Sequence, residues 1–168
     1  MLVLTESSRT IRISHWGNIG VDEHFEVQNI GASVKGEFNR VDYEKPRYAI
    51  NCLTEIQAEY PWYIQGMYVY DFIGNISTTN AFRGEESVKL EFKPRFGICG
   101  GWKTDWNQGY NVPTKYHLKV ANNDHERYSF DFTFLHNYDV FLAENYTVEV
   151  VLPYGATDIK VSSTLSSS

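Results

Sequence analysis

At 168 residues the chain is long enough to bury about 70% of the surface its unfolded form exposes, which fits one domain. Hydrophobic residues make up 42% and charged residues 21%, a globular balance that excludes a disordered chain. The net charge is −6 and no Lys/Arg cluster stands out, so the electrostatic footprint of a nucleic-acid binder is missing.

The opening "MLVLTESS" has three apolar residues and then turns polar. A signal peptide needs an apolar stretch of about 7–15 residues, so residues 1–7 read as a lead-in to the domain. No run of about 18 apolar residues follows anywhere, so no membrane span is predicted. In "RTIRIS" (9–14), Ile11 and Ile13 alternate with Arg12 and Ser14, the period of a strand with one buried face. Residues 21–31 are also β-like and end in a turn at Asn29–Gly31. "YAINCLTEIQAEYP" (48–61) carries the one plausible helix, stopped by Pro61. Tyr43, Tyr48, Tyr60, Trp62, Tyr63, Tyr68 and Tyr70 raise β-propensity through the middle of the chain.

Val88, Leu90 and Phe92 then alternate with Lys89, Glu91 and Lys93. Tyr128, Phe130, Phe132 and Phe134 do the same against Ser129, Asp131 and Thr133. "YTVEVVLP" and "TDIKVSS" read as a last pair turning at Pro153–Gly155. Many short strands between Gly, Pro and Asn turns predict an all-β chain, an antiparallel β-sandwich over 8–161 with little or no helix. Residues 162–168, "SSTLSSS" from Ser162, read as a linker or frayed tail.

Chemistry is harder to find. No G-x-S-x-G elbow, H-E-x-x-H pair, P-loop or dinucleotide fingerprint occurs. His15, His24, His117, His125 and His136 are scattered. Asp71 and Asp105 sit beside aromatics, but their spacing does not make them a glycosidase pair. No catalytic residue, metal ligand or cofactor site is assigned. Cys52 and Cys99 lack a CxxC or His-rich setting. Buried free thiols are the favoured reading for residues of this type, and a Cys52–Cys99 disulfide is the alternative. Such a bridge would close a loop worth about 4 kcal/mol in the chain-entropy model.

"PRFGICGGWKTDW" (94–106) concentrates aromatics and glycines. Its architectural reading places Gly101 at a turn and Trp102 in the core, with Trp106 partly exposed between polar Asp105 and Asn107. Gly101→Ala and Trp102→Ala should then both be destabilising. A sugar platform on Trp102 and Trp106 is the functional alternative. "NIS" at Asn75 and "NYT" at Asn145 are N-glycosylation sequons. The Gly–Asn step favours an exposed turn at Asn75. Asn145 lies beside a strand start, where lower occupancy is expected.

Four blocks then carry a resemblance: "SRTIRISHWGNI" (8–19), "IGNIST" (73–78), "PRF…GGWKT" (94–104) and "GYNVP" (109–113). They resemble, in order, blocks of the ribophorin I family, a lumenal subunit of the endoplasmic reticulum oligosaccharyltransferase. Two departures stand out. Tyr70–Asp71–Phe72 occupies a place where the family usually carries a charged pair, and Gly97–Ile98–Cys99 replaces a bulky apolar step. The resemblance implies the membrane-proximal lumenal domain of a single-pass membrane subunit, glycosylated at Asn75. Its implied role is a non-catalytic scaffold that meets other subunits, including the catalytic one, and nascent polypeptide clients. Residues open to a partner or glycan are His15, Trp16, Trp102 and Trp106. The rival reading is a stand-alone carbohydrate-binding β-sandwich.

Overall fold

Alternation with period two is the dominant pattern of the sequence, and it produces strands almost throughout. The computed structural model describes residues 1–33, 52–121 and 124–163, and the side chains of 121 and 124–126 are not described. The first sheet is built on two twelve-residue strands, β1 (Leu2–Ile13) and β2 (Asn18–Asn29), joined by a hairpin. β7 (Lys103–Pro113) pairs antiparallel with β2, and β4 (Gln65–Tyr70) with β7. On the other side of β1 lie β10 (Leu142–Ala143) and β11 (Tyr146–Val151), both parallel to it. The second sheet is β3 (Ile56–Pro61), β6 (Ser87–Phe92) and β5 (Asn80–Arg83), in the order β3-β6-β5. A ribbon of β8 (Leu118–Ala121) and β9 (Asp124–Phe130) follows a 3-10 turn at Thr114–Tyr116.

The inward faces of the two larger sheets make one core. Ile11, Val21, Phe25, Trp106, Tyr110 and Val112 come from the first, and Ile56, Tyr60, Val88, Leu90 and Phe92 from the second. Trp106 meets Phe92 across the layers at 5.6 Å and Tyr110 meets Tyr60 at 5.1 Å, ring centre to ring centre. Each such buried side chain contributes about 1.5–3 kcal/mol through area removed from water. The chain is thus an all-β sandwich, antiparallel in its pairing except where β10 and β11 run alongside β1.

Several sequence expectations are corrected by the pairing. Residues 2–7 are no lead-in. Val3 and Leu4 are buried in β1, and a bulge between Leu4 and Glu6 resets the parity so that Ser7, Arg9, Ile11 and Ile13 also point inward. The expected helix over 48–61 is strand from Ile56 onward, residues 48–51 lying outside those described. Helix-forming Glu and Gln there are outweighed by pairing with β6, which puts Ile56, Ala58 and Tyr60 into the core.

The strand expected over 127–136 stops at Phe130, because the carbonyls of Thr133 and Leu135 bond to the Arg9 guanidinium instead of to a neighbouring strand. The expected last pair does not form either. β11 takes β1 as its partner, and residues 157–163 carry no strand. Of the predicted tail, Ser162 and Ser163 are exposed and 164–168 lie outside the described residues.

The free-thiol reading of the cysteines is overturned. Leu53 and Ile98 form an antiparallel bridge with hydrogen bonds of 3.0 and 2.8 Å in the two directions. That bridge sets Cys52 opposite Cys99 with Cα atoms 3.9 Å apart, and the two are disulfide-bonded.

Candidate interaction surface

Polar residues on inward strand positions meet at the centre of the first sheet. Arg9 is directly opposite Glu23, and Glu23 is directly opposite Gln108, so three adjacent strands lay one polar row across an apolar face. Arg9 Nε donates to Glu23 Oε1 at 2.6 Å, and Gln108 Nε2 donates to Glu23 Oε2 at 2.7 Å. Gln108 Nε2 also reaches the Tyr60 hydroxyl at 2.6 Å. Its Oε1 accepts from Trp106 Nε1 at 3.2 Å and from the Tyr138 hydroxyl. Burial pushes the Tyr60 and Tyr138 phenols up, so both stay protonated and able to donate.

The remaining guanidinium nitrogens of Arg9 hold Thr133 O at 2.8 Å, Leu135 O at 2.9 Å and Asn137 Oδ1 at 3.1 Å. Asn137 Nδ2 in turn donates to Glu59 O at 2.8 Å. The row therefore ties the first sheet to the second and to the segment between β9 and β10. Its chemistry is architectural. Sequence reasoning missed it, although Arg9 has the parity of Ile11 and Ile13, and Gln108 that of Trp106 and Tyr110.

The glycine-rich stretch 94–106 is the crossing from the second sheet to the first. Trp102 N donates to Cys99 O at 2.9 Å, closing a four-residue turn whose third residue, Gly101, has φ +84°. Asn29 holds this turn from β2: its carbonyl accepts from Gly101 N at 2.7 Å, and its amide Nδ2 donates to Ile98 O at 3.0 Å. A side chain at Gly100 would strike the Ala32 carbonyl.

The two tryptophans exchange the places expected for them. Trp106 is 1% exposed and stands among Phe25, Phe92, Tyr138 and Phe141. Trp102 is half-buried, edge-on to Phe96. Asp105 and Asn107 are polar because they occupy the other face of β7, which says nothing about exposure of the residue between them.

The other sequence-predicted sites fall apart in space. His15 and Trp16 form the tip of the β1–β2 hairpin, where Trp16 is 94% exposed and its N–H is held by Ser14 Oγ at 3.1 Å. Thr114 N donates to Gly17 O at 3.0 Å, which brings the 3-10 turn beside this tip. Tyr116 of that turn stacks on Tyr63 at 4.2 Å and meets half-exposed Trp62 edge-on at 5.7 Å. One end of the sandwich thus presents Trp16, Trp62, Tyr63 and Tyr116 together. Only the first was singled out from the sequence. Trp62 and Tyr63 were read as strand-formers and Tyr116 was not singled out, and only the fold shows that they crowd a shared end.

Asn75 is exposed on the return arm of a tight turn. Asp71 and Gly74 exchange backbone hydrogen bonds of 3.0 and 3.1 Å across the two-residue tip Phe72–Ile73. Asp71 Oδ1 also accepts from Ile73 N at 2.9 Å, and Arg95 pairs with the same carboxylate. The Arg95 hydrogen bond, helped by the backbone N–H groups of Ile73 and Gly74 that donate to the same Oδ1, holds the Asp71 carboxyl below its ordinary range. The turn's electrostatic support is therefore complete above the usual aspartate range and lost as pH falls through the depressed value.

Asn145 is exposed ahead of β11, its Nδ2 donating to Thr5 O at 3.2 Å. Asp71 and Asp105 have separate settings, one in this turn and the other opposite Glu26 on β7. His117 is bound to Tyr63 Oη at 3.2 Å and to Asp131 O at 2.7 Å, and His24 to Asn107 Oδ1 at 3.0 Å. The His125 side chain lies outside the described residues.

A family model described as Ribophorin I matches residues 1–168, the whole chain. The chain belongs to the ribophorin I family. Among curated relatives, it is 34% identical over 163 residues to dolichyl-diphosphooligosaccharide–protein glycosyltransferase subunit 1 of Caenorhabditis elegans, covering 96% of this chain and 28% of that protein. It is 37% identical over 158 residues to subunit 1B of Arabidopsis thaliana, covering 93% and 34%. This ribophorin I family chain therefore spans about a third or less of the length of these relatives. Looser likenesses connect it with solved structures. A two-domain M1 zinc metallopeptidase has a TM-score of 0.47 at 10% identity, covering 91% of this chain and 33% of that one. Native leukotriene A4 hydrolase from Saccharomyces cerevisiae has a TM-score of 0.43 at 10% identity, covering 87% and 23%.

Proposed function

We propose that this chain is a non-catalytic lumenal domain of an oligosaccharyltransferase subunit, acting in protein N-glycosylation at the endoplasmic reticulum. The observation that carries the reading is the family match along the whole chain, with relatives named as subunit 1 of that glycosyltransferase. The domain works as a scaffold. The sandwich end bearing His15, Trp16, Trp62 and Tyr116 is the face offered to neighbouring subunits, including the catalytic one, or to nascent polypeptide. Aromatic residues of this kind are enriched at the centres of protein interfaces. A non-enzymatic role is supported by the use of the buried charges: Arg9 and Glu23 hold the layers together. The carbohydrate-module reading is weakened by the burial of Trp106, one of the two rings that such a platform needs.

The experiment is a turnover assay with lipid-linked oligosaccharide and a sequon peptide. No product is expected from the purified chain, whereas activity abolished by Asp105→Ala would overturn the scaffold reading. The same reading assigns an N-glycan to Asn75, with Asn145 less occupied because its amide is already bonded to Thr5. Glycopeptide mass spectrometry of the native protein reads both positions, and an unmodified Asn75 contradicts the assignment.

A further inference from the structure

We infer that the Tyr70 ring is the seat of the first sugar of a glycan on Asn75, so that the glycan is packed against the sandwich as part of its outer face. This rests on the glycosylation of Asn75 proposed above. In that covalent step Nδ2 of Asn75 forms the bond to C1 of the sugar, the C1–O bond to the lipid diphosphate breaks, and the amide gives up one of its two protons.

The argument begins with register. Tyr70 and Asn75 are directly opposite each other in an antiparallel bridge. The neighbouring pair Asp71–Gly74 exchanges both backbone hydrogen bonds, and Ile76 N donates to Val69 O at 3.1 Å on the other side. Tyr70–Asn75 is therefore the non-hydrogen-bonded pair between them, the kind whose side chains approach most closely, with Cβ atoms about 4.5–5.5 Å apart. Parity fixes the face. Val69 and Ile76 are buried, so Tyr70 and Asn75 both point outward, and Tyr70 remains 41% exposed.

The ring is also held in place. Tyr68, two residues earlier on the same face, stacks on it with planes 24° apart and centres 6.0 Å apart. Tyr68 is anchored by its hydroxyl to Asp22 and lies over Gly109, where a Cβ would collide with its ring. Tyr70 thus has a fixed aromatic neighbour along the strand, Asn107 beside it on β7 and Asn75 on its open side. Arg95 steadies the Asn75 arm through Asp71 and through Gly74 O at 3.3 Å. A pyranose offers an apolar face of C–H groups, and an aromatic ring on the residue directly across from Asn75 can remove that face from water. Phe72, at the turn tip and 84% exposed, has no such register with Asn75.

The test uses the 168-residue chain secreted from a eukaryotic host, with Asn145→Gln to leave one sequon. Mass spectrometry first establishes a sugar on Asn75, and the glycan is then trimmed to a single N-acetylglucosamine. Melting temperatures are compared with and without the sugar (Asn75→Gln) in three backgrounds: unchanged, Tyr70→Thr and Phe72→Thr. The sugar should raise the melting temperature by about 2–4 °C in the unchanged and Phe72→Thr chains, a shift typical of one aromatic contact in a domain of this size. It should raise it by nothing measurable in Tyr70→Thr. Sugar proton resonances should be shifted upfield by the ring and return in the same variant. An equal rise in all backgrounds, no rise in any, or dependence on Phe72 instead overturns the stacking alone. An unmodified Asn75 overturns the glycosylation reading and the stacking with it.

Discussion

Trp106→Ala is expected to lower the melting temperature by roughly 6–20 °C, as truncating a core aromatic costs about 3–5 kcal/mol and each kcal/mol is worth about 2–4 °C in a domain of this size. The indole is 1% exposed and in contact with Phe25, Phe92, Tyr138 and Phe141, rings supplied by both sheets and by the segment before β10. Its removal opens a void where the layers meet and leaves Gln108 Oε1 with one donor fewer. Trp102→Ala should cost distinctly less, because that ring is half-buried against Phe96 at the edge of the core. Gly101→Ala should also be milder, at roughly 1–2 kcal/mol, the penalty of a Cβ at positive φ. Thermal scans of the three variants check the order, and a Trp102 effect larger than that of Trp106 would contradict the packing described.

Arg9→Met should be comparably severe, at about 3–5 kcal/mol, because it leaves Glu23 charged and buried without its partner. The side chains of Arg9 and Glu23 are 1% and 0% exposed. The variant also strips the carbonyls of Thr133 and Leu135 of their donor, so the segment between β9 and β10 should loosen first. The double variant Arg9→Met/Glu23→Gln should cost less than the sum of its parts, since no lone charge then remains inside. Midpoints of denaturant unfolding for the two single variants and the double measure this coupling. Additive effects would mean that the two groups are not acting as a pair.

The sequence by itself determined the class of fold and the faces of its best strands. Ile11 with Ile13, and Val88, Leu90 and Phe92, lie inward as their period-two spacing requires. Four short blocks were enough to indicate the family. The exposed setting of Asn75 was also legible, from a Gly–Asn step in a turn-forming stretch.

What escaped was decided by pairing between distant segments. A polar residue in an alternating strand looks solvent-facing until its partner is known, so Arg9, Glu23 and Gln108 became a buried row only when β1, β2 and β7 were laid side by side. Trp106 looked exposed because its sequence neighbours are polar, yet those neighbours belong to the opposite face of the same strand. The disulfide required the Leu53–Ile98 bridge, and the seat beside Asn75 required the register that sets Tyr70 across from it. Residue type and spacing specify which groups prefer to leave water. Which of them then meet depends on strand order and register, and these are fixed by the sum of contacts across the whole sandwich.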